Sequence, residues 1–441
     1  MDVPNRPVGR LRLALRCGHL LATTFPAALS LGFAAGLDRI GRISRRDRRR
    51  GMTPALTRVV PRLLPRLGPF YVKGGQLLST RHDLLPRPLC AALGSLVDQV
   101  PPPSYRELQA ALTRAYGPAG ERPFARLDLA PIASGSIATV HRAFLSDGTQ
   151  VAVKVRRPRI ARLMAMDLRL ALAGARLAQR MPAQRGAPVE EMVRQVGGAI
   201  MGQLDFAAEV AALHLLRENL APVAGVRLPE PYDELCRDGV VAMEFVEGLQ
   251  RFRPGDLELE ARRTVVRTIL LAVFRMLFLD GIVHCDLHPG NLYLTRDGSV
   301  VILDAGFVVR LPESVRGQFA EFFKNMALGN GRRCAEVVIA GAARVPEPFD
   351  REGFTAAVVE LVQDSSGAVA RDFSLLEFAP RLFNLQRSFG LYAAAEFAFP
   401  LMSLLVLEGM IKDFDADVDF QAEAMPVLYT ALTEPARGAG G

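Results

Sequence analysis

The 441-residue sequence predicts an α+β fold of two lobes, the second mostly helical, with a helical extension in front. Three observations predict it. Strand-like apolar runs punctuated by turn residues lie between Phe124 and Gly248 and again between Ile282 and Gly306. The stretches outside these repeat apolar residues every three or four positions, the period of a half-buried helix. A composition of 50% hydrophobic and 23% charged residues describes a folded chain, long enough for two or three packed units.

Residues 1–50 read as a basic arm containing an apolar helix. They hold eleven Arg against three Asp, which accounts for the whole net charge of +8 and leaves the rest of the chain balanced. A folded nucleic-acid binder carries its basic face on the core beside exposed aromatics, so no nucleic-acid partner is expected. An Arg-rich arm around an apolar segment fits an anionic membrane surface instead. Leu20 to Leu37 is free of charge, but it is short for a bilayer span and is diluted by Thr23, Thr24, Pro26, Ser30, Gly32 and Gly36. An interfacial or core-docking helix therefore ranks ahead of a true span. The five Cys, at 17, 90, 236, 285 and 334, form no C-x-x-C and no even framework, which points to a reducing compartment and away from structural zinc.

Residues 51–123 form the helical extension, with apolar periodicity from Met52 to about Ala115 and breaks at Pro86, Pro88 and Pro101 to Pro103. Within it, Lys73-Gly74-Gly75-Gln76 is odd. Two Gly inside a helix cost about 1 kcal/mol each relative to Ala, so close approach of another element is expected, against the plainer reading of a helix start with a solvated Lys. Only four of the 54 basic residues are Lys, at 73, 154, 324 and 412. A chain this biased toward Arg keeps Lys where a compact ammonium cannot be replaced by a guanidinium.

Residues 124–250 form the first lobe, with inserted helices. Two β-rich runs meet at the turn Ser146-Asp147-Gly148-Thr149, and the second delivers Lys154 at the end of Val151-Ala152-Val153, the pattern of a strand carrying a phosphate-contacting Lys. The loop Ala133-Ser134-Gly135-Ser136 stands where a Gly-rich loop covers phosphates. Its small residues permit close approach, and its single Gly makes it stiffer. Helices are expected over 159–181 and 188–220, with Asp205 and Glu209 one turn apart on one face. Glu209 is the candidate ion-pair partner for Lys154, although acidic residues at helical spacing also mark an ordinary solvated face. Val240 to Gly248 reads as a strand and turn joining the lobes, where backbone groups of Glu244 and Val246 would meet adenine; a plain strand and turn is the competing reading.

Residues 251–433 form the helical second lobe, interrupted by the stretch on which the functional reading rests. I-V-H-C-D-L-H-P-G-N is followed, after a hairpin at Thr295-Arg296-Asp297-Gly298, by V-V-I-L-D-A-G. Asp286 precedes Asn291 by five residues, and Asp304 follows thirteen later. That spacing is the layout of phosphoryl transfer in a protein-kinase-like fold: Asp286 aligns or deprotonates the acceptor, while Asn291 and Asp304 hold Mg²⁺ against ATP. Taken singly, such residues only cap turns. Cys285 reads as a buried spacer. An ATP-using site would lack its nucleotide outside the cell, which ranks a cleaved signal peptide last. Leu391 to Ile411 is apolar but interrupted by Glu396, Pro400 and Glu408, hence a buried helix.

Together these motifs resemble the UbiB (AarF, ADCK-type) atypical kinases over about residues 55–420. Lys73 to Gln76 looks like that family's KxGQ signature, Ala133 to Ser136 is similar to its Ala-rich loop, and H-x-D-x-H-P-G-N with KxGQ is absent from ordinary kinases. The resemblance implies a two-lobed kinase-like core whose N-terminal extension folds the KxGQ motif over the active site, with Lys73, Gln76, Gln203 and Asp205 gating it. It implies ATP hydrolysis, or phosphorylation of a small or lipid-linked acceptor, in support of isoprenoid-quinone or related prenyl-lipid biosynthesis. It also implies a peripheral or N-terminally anchored place on the cytoplasmic membrane face, beside proteins of a biosynthetic complex. A nucleotide-binding pseudokinase scaffold and, behind it, a protein kinase are the alternatives. Gln203 stands where the family has Glu, Ala305 stands where kinases have the Phe of D-F-G, and the C-terminal membrane spans of some members are not expected here.

Overall fold

In the computed structural model, residues 10–41, 52–79, 85, 87–96, 100–118, 122–180, 189–251, 253–287, 290–366, 375–393, 395–415 and 417–433 are described. The chain divides into two compact units, one of residues 1–207 and 232–243 and the other of 208–231 and 244–441.

The first unit opens with helices α1 (Arg10–Gly41), α2 (Met52–Leu67), α3 (Pro69–Ser79), α4 (Arg87–Gly94) and α5 (Tyr105–Tyr116). Gly68, with φ +116°, ends α2 in a backbone conformation that favours glycine. Pro69 then starts α3 at the one helical position where its missing N–H costs nothing. A capping box starts α5: Ser104 accepts from the Glu107 N–H, and Glu107 Oε2 accepts from the Ser104 N–H at 3.0 Å. Its apolar face, with Leu108 and Leu112, packs on Ala143, Val151, Val153, Val155 and Val240. The sheet behind that core runs β1 (Arg126–Leu127), β3 (Ala138–Phe144), β4 (Gln150–Arg156) and β6 (Val240–Glu244), with β2 (Ala133–Ser134) also on β3. β3 and β4 pair antiparallel from Ala138↔Arg156 to Phe144↔Gln150, through the expected turn at 146–149.

Helix α6 (Ile160–Gln179) follows, and α7 (Val189–Gly202) packs against it. The single helix expected over 188–220 is instead two, because α7 stops at Gly202 and α8 (Phe206–Leu220) begins after Asp205. Gly is a poor helix former, and Asp competes with the backbone inside a helix but is favoured just ahead of one. Gln203 and Asp205 therefore sit in the break, and Asp205 does not share a helix face with Glu209.

The apolar segment of the arm lies within α1, which packs along α2 and is tied to α6 by a buried polar contact. Arg16 Nε and Nη2 reach the two carboxylate oxygens of Asp167 on α6 at 2.7 Å each, and Nη2 also donates to the Leu67 carbonyl at 2.5 Å. Asp167 is fully buried and Arg16 is 14% exposed. Burial pushes the Asp167 carboxyl up, and the guanidinium opposes that shift. No single helix among the described residues is long and apolar enough to cross a membrane.

The second unit holds α8 beyond its first two residues, then β5 (Val226–Arg227), β7 (Gln250–Arg251) and α9 (Leu259–Phe274), which widens into a π-helical turn over Arg275–Asp280. Next come β8 (Ile282–His284), β9 (Leu292–Leu294), β10 (Val300–Ile302) and β11 (Val308–Arg310). A sheet runs β5-β10-β9-β7, and β8 pairs with β11. The helices α10 (Glu313–Ala327), α11 (Gly331–Ala340), α12 (Arg351–Ser366), α13 (Leu375–Ser388), α14 (Ala395–Phe414) and α15 (Phe420–Thr433) complete it, with β12 (Ala342–Arg344) paired to β13 (Tyr392–Ala393). Leu404, Leu405, Leu407 and Ile411 are buried, so α14 is the buried helix expected over 391–411, except that Tyr392–Ala393 pairs as β13 and the helix begins only at Ala395.

Candidate functional site

The predicted site residues fall on both units, and each half has its own geometry. In the first unit, the strand alternation of β4 turns Val151, Val153 and Val155 into the core under α5 and leaves Lys154 on the opposite face, half-buried. Its Nζ lies 5.4 Å from the Phe206 ring centroid, a cation–π distance.

Of the expected loop at 133–136, Ala133 and Ser134 are strand β2, and a tight turn from Gly135 leads into β3, closed by the Gly135 N–H on the Ala138 carbonyl at 2.9 Å. Arg157, one residue past β4, holds it from below. Its Nε donates to the Gly135 carbonyl at 2.7 Å. Its Nη2 reaches Ser134 Oγ at 2.9 Å, the Pro101 carbonyl at 2.9 Å and the Val100 carbonyl at 3.2 Å. Ser134 Oγ donates to the same Val100 carbonyl at 2.7 Å. The stiffness expected of this loop has its physical cause in that clamp more than in its glycine count. Nothing local to Arg157 marks this role, since its partners lie 22 to 57 residues away.

In α3, a Cβ on Gly75 would lie 2.5 Å from a Leu96 methyl carbon and 2.6 Å from one of Leu64, so the expected close approach is made by side chains of the flanking segments. Gln76 donates to the Leu96 carbonyl at 3.1 Å, and Lys73 is half-buried beside it in sequence. Gln203 is half-buried and Asp205 exposed.

The second unit holds the remaining residues. The β8–β11 and β9–β10 pairings bring the segments 285–291 and 303–307 side by side: the Cys285 N–H donates to the Phe307 carbonyl at 2.9 Å, and the Leu303 N–H to the Asn291 carbonyl at 3.1 Å. His284, 1% exposed at the end of β8, joins them more directly. Its Nδ1 accepts from the Asp286 N–H at 3.1 Å, which leaves the ring proton on Nε2 to donate to the Asp304 carbonyl. One imidazole thus sets the backbone of both motif aspartates. The sequence assigns this His no role, and its one local mark is its position two residues before Asp286 at the end of an apolar run.

Asn291 donates to the Asp286 carbonyl at 2.9 Å and to its carboxylate at 3.4 Å. That fixes the amide with its nitrogen toward Asp286 and leaves Oδ1 on the other side. Asp304 Oδ1 accepts from the Gly306 N–H at 2.7 Å. A Cβ on Gly306 would lie 2.9 Å from that oxygen and 3.7 Å from Oε2 of Glu209, which is itself buried, so two carboxylates crowd one glycine. Burial, with the neighbouring Asp286 charge, pushes the Cys285 thiol up, so it is not a thiolate at neutral pH, in keeping with a spacer.

On the strand leaving β6, the Glu244 N–H is already given to the Glu230 carbonyl at 2.7 Å, and its carboxylate pairs with Arg227. Val246 is buried. Among the described residues no group of three or more His, Cys, Asp or Glu is arranged to hold a metal.

Residues 95–338, more than half of the chain, match the model of the ABC1 atypical kinase-like domain. The chain belongs to this family. Its relatives in the UbiB-type branch include a probable protein kinase UbiB of Pseudomonas entomophila, 31% identical over 385 residues covering 83% of this chain and 70% of that one. That of Azotobacter vinelandii is 30% identical over 397 residues, covering 86% and 72%. An uncharacterized protein of Synechocystis, slr0889, is 32% identical over 286 residues, covering 62% and 70%. Among solved structures, Rv3197 of Mycobacterium tuberculosis in complex with erythromycin matches at 22% identity and a TM-score of 0.49, covering 82% of this chain and 92% of that one. The Rio2 kinase of Chaetomium thermophilum, with ADP/Mg²⁺ and phosphoaspartate, matches at 12% and 0.27, covering 72% and 95%. Membership of the ABC1 family fixes the kinase-like fold with mixed helix and sheet that the sequence predicts.

Proposed function

We propose that this ABC1-family chain uses Mg-ATP, hydrolysing it or passing its γ-phosphoryl group to a small or lipid-linked acceptor, in support of isoprenoid-quinone or related prenyl-lipid biosynthesis. The observation that carries the reading is the His284 bridge, which holds the Asp286 and Asp304 backbones together while Asn291 binds Asp286.

The donor set fits Mg²⁺. Asp304 and the amide oxygen of Asn291 are hard oxygen ligands, and Mg²⁺ is ordinarily held by one or two such groups together with phosphate oxygens and water. Two carboxylates against Gly306 also favour cationic charge at that place. When bound, the ion would neutralise charge on the transferring phosphoryl group. Asp286 aligns the acceptor hydroxyl or water and takes up its proton. Lys154 has the role of the ammonium that contacts the α- and β-phosphates, and Glu209 that of its orienting carboxylate. Ala133, Ser134, Gly135 and Ser136 cover the phosphates. Because the Glu244 N–H is already used, Val246 is the better donor to adenine. Lys73, Gln76, Gln203 and Asp205 gate the site, with Gln203 unable to supply the charge that the family's Glu would.

The test is Asp304→Asn in the purified full-length protein. Loss of Mg-dependent nucleotide binding and of phosphate release is expected; undiminished hydrolysis would reject the metal assignment. The Arg157 clamp favours a second reading, a nucleotide-holding scaffold with little turnover, because a pinned phosphate loop retains its ligand. Steady-state phosphate release with and without anionic vesicles separates the two, and label transfer from γ-labelled ATP to polypeptide would revive the protein-kinase alternative.

We place the protein at a membrane surface on the support of α1. Leu11, Leu15, Leu21 and Phe25 are 65–74% exposed on one stripe of that helix, opposite the docked Arg16 and within the Arg-rich arm. Flotation with anionic but not neutral vesicles, lost in Leu15→Glu/Phe25→Glu, is the expected result.

A further inference from the structure

The side chains of β4 that turn away from the core under α5 are those of Ala152, Lys154 and Arg156, so two cations stand two positions apart on one strand face. Like charges so placed repel. Both approach one aromatic ring. Lys154 Nζ lies 5.4 Å from the Phe206 ring centroid and Arg156 Cζ 5.8 Å from it, each over the ring, and Phe206 is 2% exposed. A side chain that only filled this space could equally be Leu or Met, whereas cations over a ring use the negative face that an aromatic alone provides.

The two cations are held in different ways. Arg156 is fixed at three points: its N–H donates to the Gly239 carbonyl, Nη1 to the Leu204 carbonyl and Nη2 to Asp238 Oδ1, all at 2.8 Å. Gly239, with φ +80°, lies against the guanidinium, and a Cβ there would stand 3.3 Å from Nη2. Leu204 is in the break between α7 and α8, two residues ahead of Phe206, the first residue of α8. The Arg156 fork therefore fixes the backbone that leads into the ring. Lys154 has no fork. It is a point charge on a flexible four-carbon stem, and a ring face restrains such a group while leaving its N–H donors to point elsewhere.

We propose that Phe206 is a positioning residue for Lys154: its ring, set in place through Arg156 and the Leu204 carbonyl, seats the ammonium before any phosphate arrives. All these groups belong to the first unit. The consequence for nucleotide binding rests on the reading of Lys154 as the contact to the α- and β-phosphates, whereas the seat itself does not.

The experiment uses the full-length protein without nucleotide, grown on [ε-¹³C]lysine. The chain has few Lys, and Lys154→Arg identifies the signal of Lys154. Protons over a ring face are shifted upfield by its ring current. The Lys154 ε-CH₂ signal should therefore move downfield in Phe206→Leu and keep its wild-type place in Phe206→Tyr. Phenylalanines carrying one, two and three fluorines at position 206 drain charge from the ring face with little change of shape, and should move the signal downfield step by step. A signal unmoved in Phe206→Leu, or a fluorinated series that stays at the wild-type position, would overturn the proposal, because the ring would then be packing alone. In the same series, Mg-ATP affinity measured by calorimetry should fall about five- to thirtyfold by the third fluorine, the span from an exposed to a desolvated cation–π contact, with the melting temperature unchanged. A signal that moves while affinity stays constant would overturn the positioning role. A wild type that binds no nucleotide would instead reject the Mg-ATP reading, and the lysine signals alone would then decide the seat. Should Phe206→Leu fail to fold, the fluorinated series takes its place.

Discussion

Replacing Arg16 with Ala removes one half of a buried ion pair and leaves the other half in place. Asp167 is fully buried and meets the guanidinium through two bonds of 2.7 Å, while the same guanidinium also satisfies the Leu67 carbonyl at the end of α2. Breaking such a pair from one side costs about 3–5 kcal/mol, because the remaining carboxylate has lost its solvent and its partner together. Arg16 is 14% exposed, so water entering where it stood relieves part of the penalty, which places the expectation near 3 kcal/mol. For a unit of about 220 residues that corresponds to a fall in Tm of about 6–12 °C. The pH dependence gives a second reading of the same event. Burial already raises the folded-state pKa of Asp167 above its ordinary value, with Tyr71 and His19 as the other titratable groups nearby, and losing Arg16 raises it further. The folded variant then binds a proton before the unfolded chain does. Its stability therefore increases as pH falls from the raised folded value toward the ordinary carboxyl value, and is level below both. Thermal unfolding followed by circular dichroism between pH 4 and 8 measures both effects, with Arg16→Met/Asp167→Leu as control, expected within about 1 kcal/mol of wild type. A destabilisation of Arg16→Ala below about 0.5 kcal/mol, or one independent of pH, would refute the reasoning.

Three further outcomes follow from the geometry. Arg157→Ala deletes donors to four acceptors on two segments; at roughly 1 kcal/mol each and less than additive, about 2–3 kcal/mol of local stability should go, seen as faster amide exchange at 135–138. Unchanged exchange there would show that the loop holds itself. Gly75→Ala should be nearly neutral, since the helix propensity gained, about 1 kcal/mol, offsets the displacement of two Leu methyls, whereas Gly75→Val should lose about 2 kcal/mol in urea denaturation. His284→Ala empties a buried site and cuts both bonds of the bridge, costing about 2–4 kcal/mol; nucleotide affinity measured by calorimetry should fall further than in a core variant of equal instability.

How much of this was legible in the sequence depended on the range of the interaction. The strands β3, β4, β9 and β10 and their turns were readable because alternation and turn residues are local. The break at Gln203 to Asp205 is hidden in the sequence, although Gly202 and Asp205 carry a local signal, because the apolar period continues across it. The grouping of Asp286, Asn291 and Asp304 was legible through spacing alone, since two short hairpins leave the intervening chain little freedom.

What sequence could not provide was the means by which those groups are held. Arg157 and Arg16 act across 22 to 151 residues and His284 across 20 to reach Asp304, and each is of a type that is abundant or unremarkable in this chain. Their partners are mostly backbone carbonyls, which every residue carries and no composition reveals. Groups that perform chemistry are named by their spacing, whereas groups that position them are named by burial with an unmet or over-used hydrogen bond.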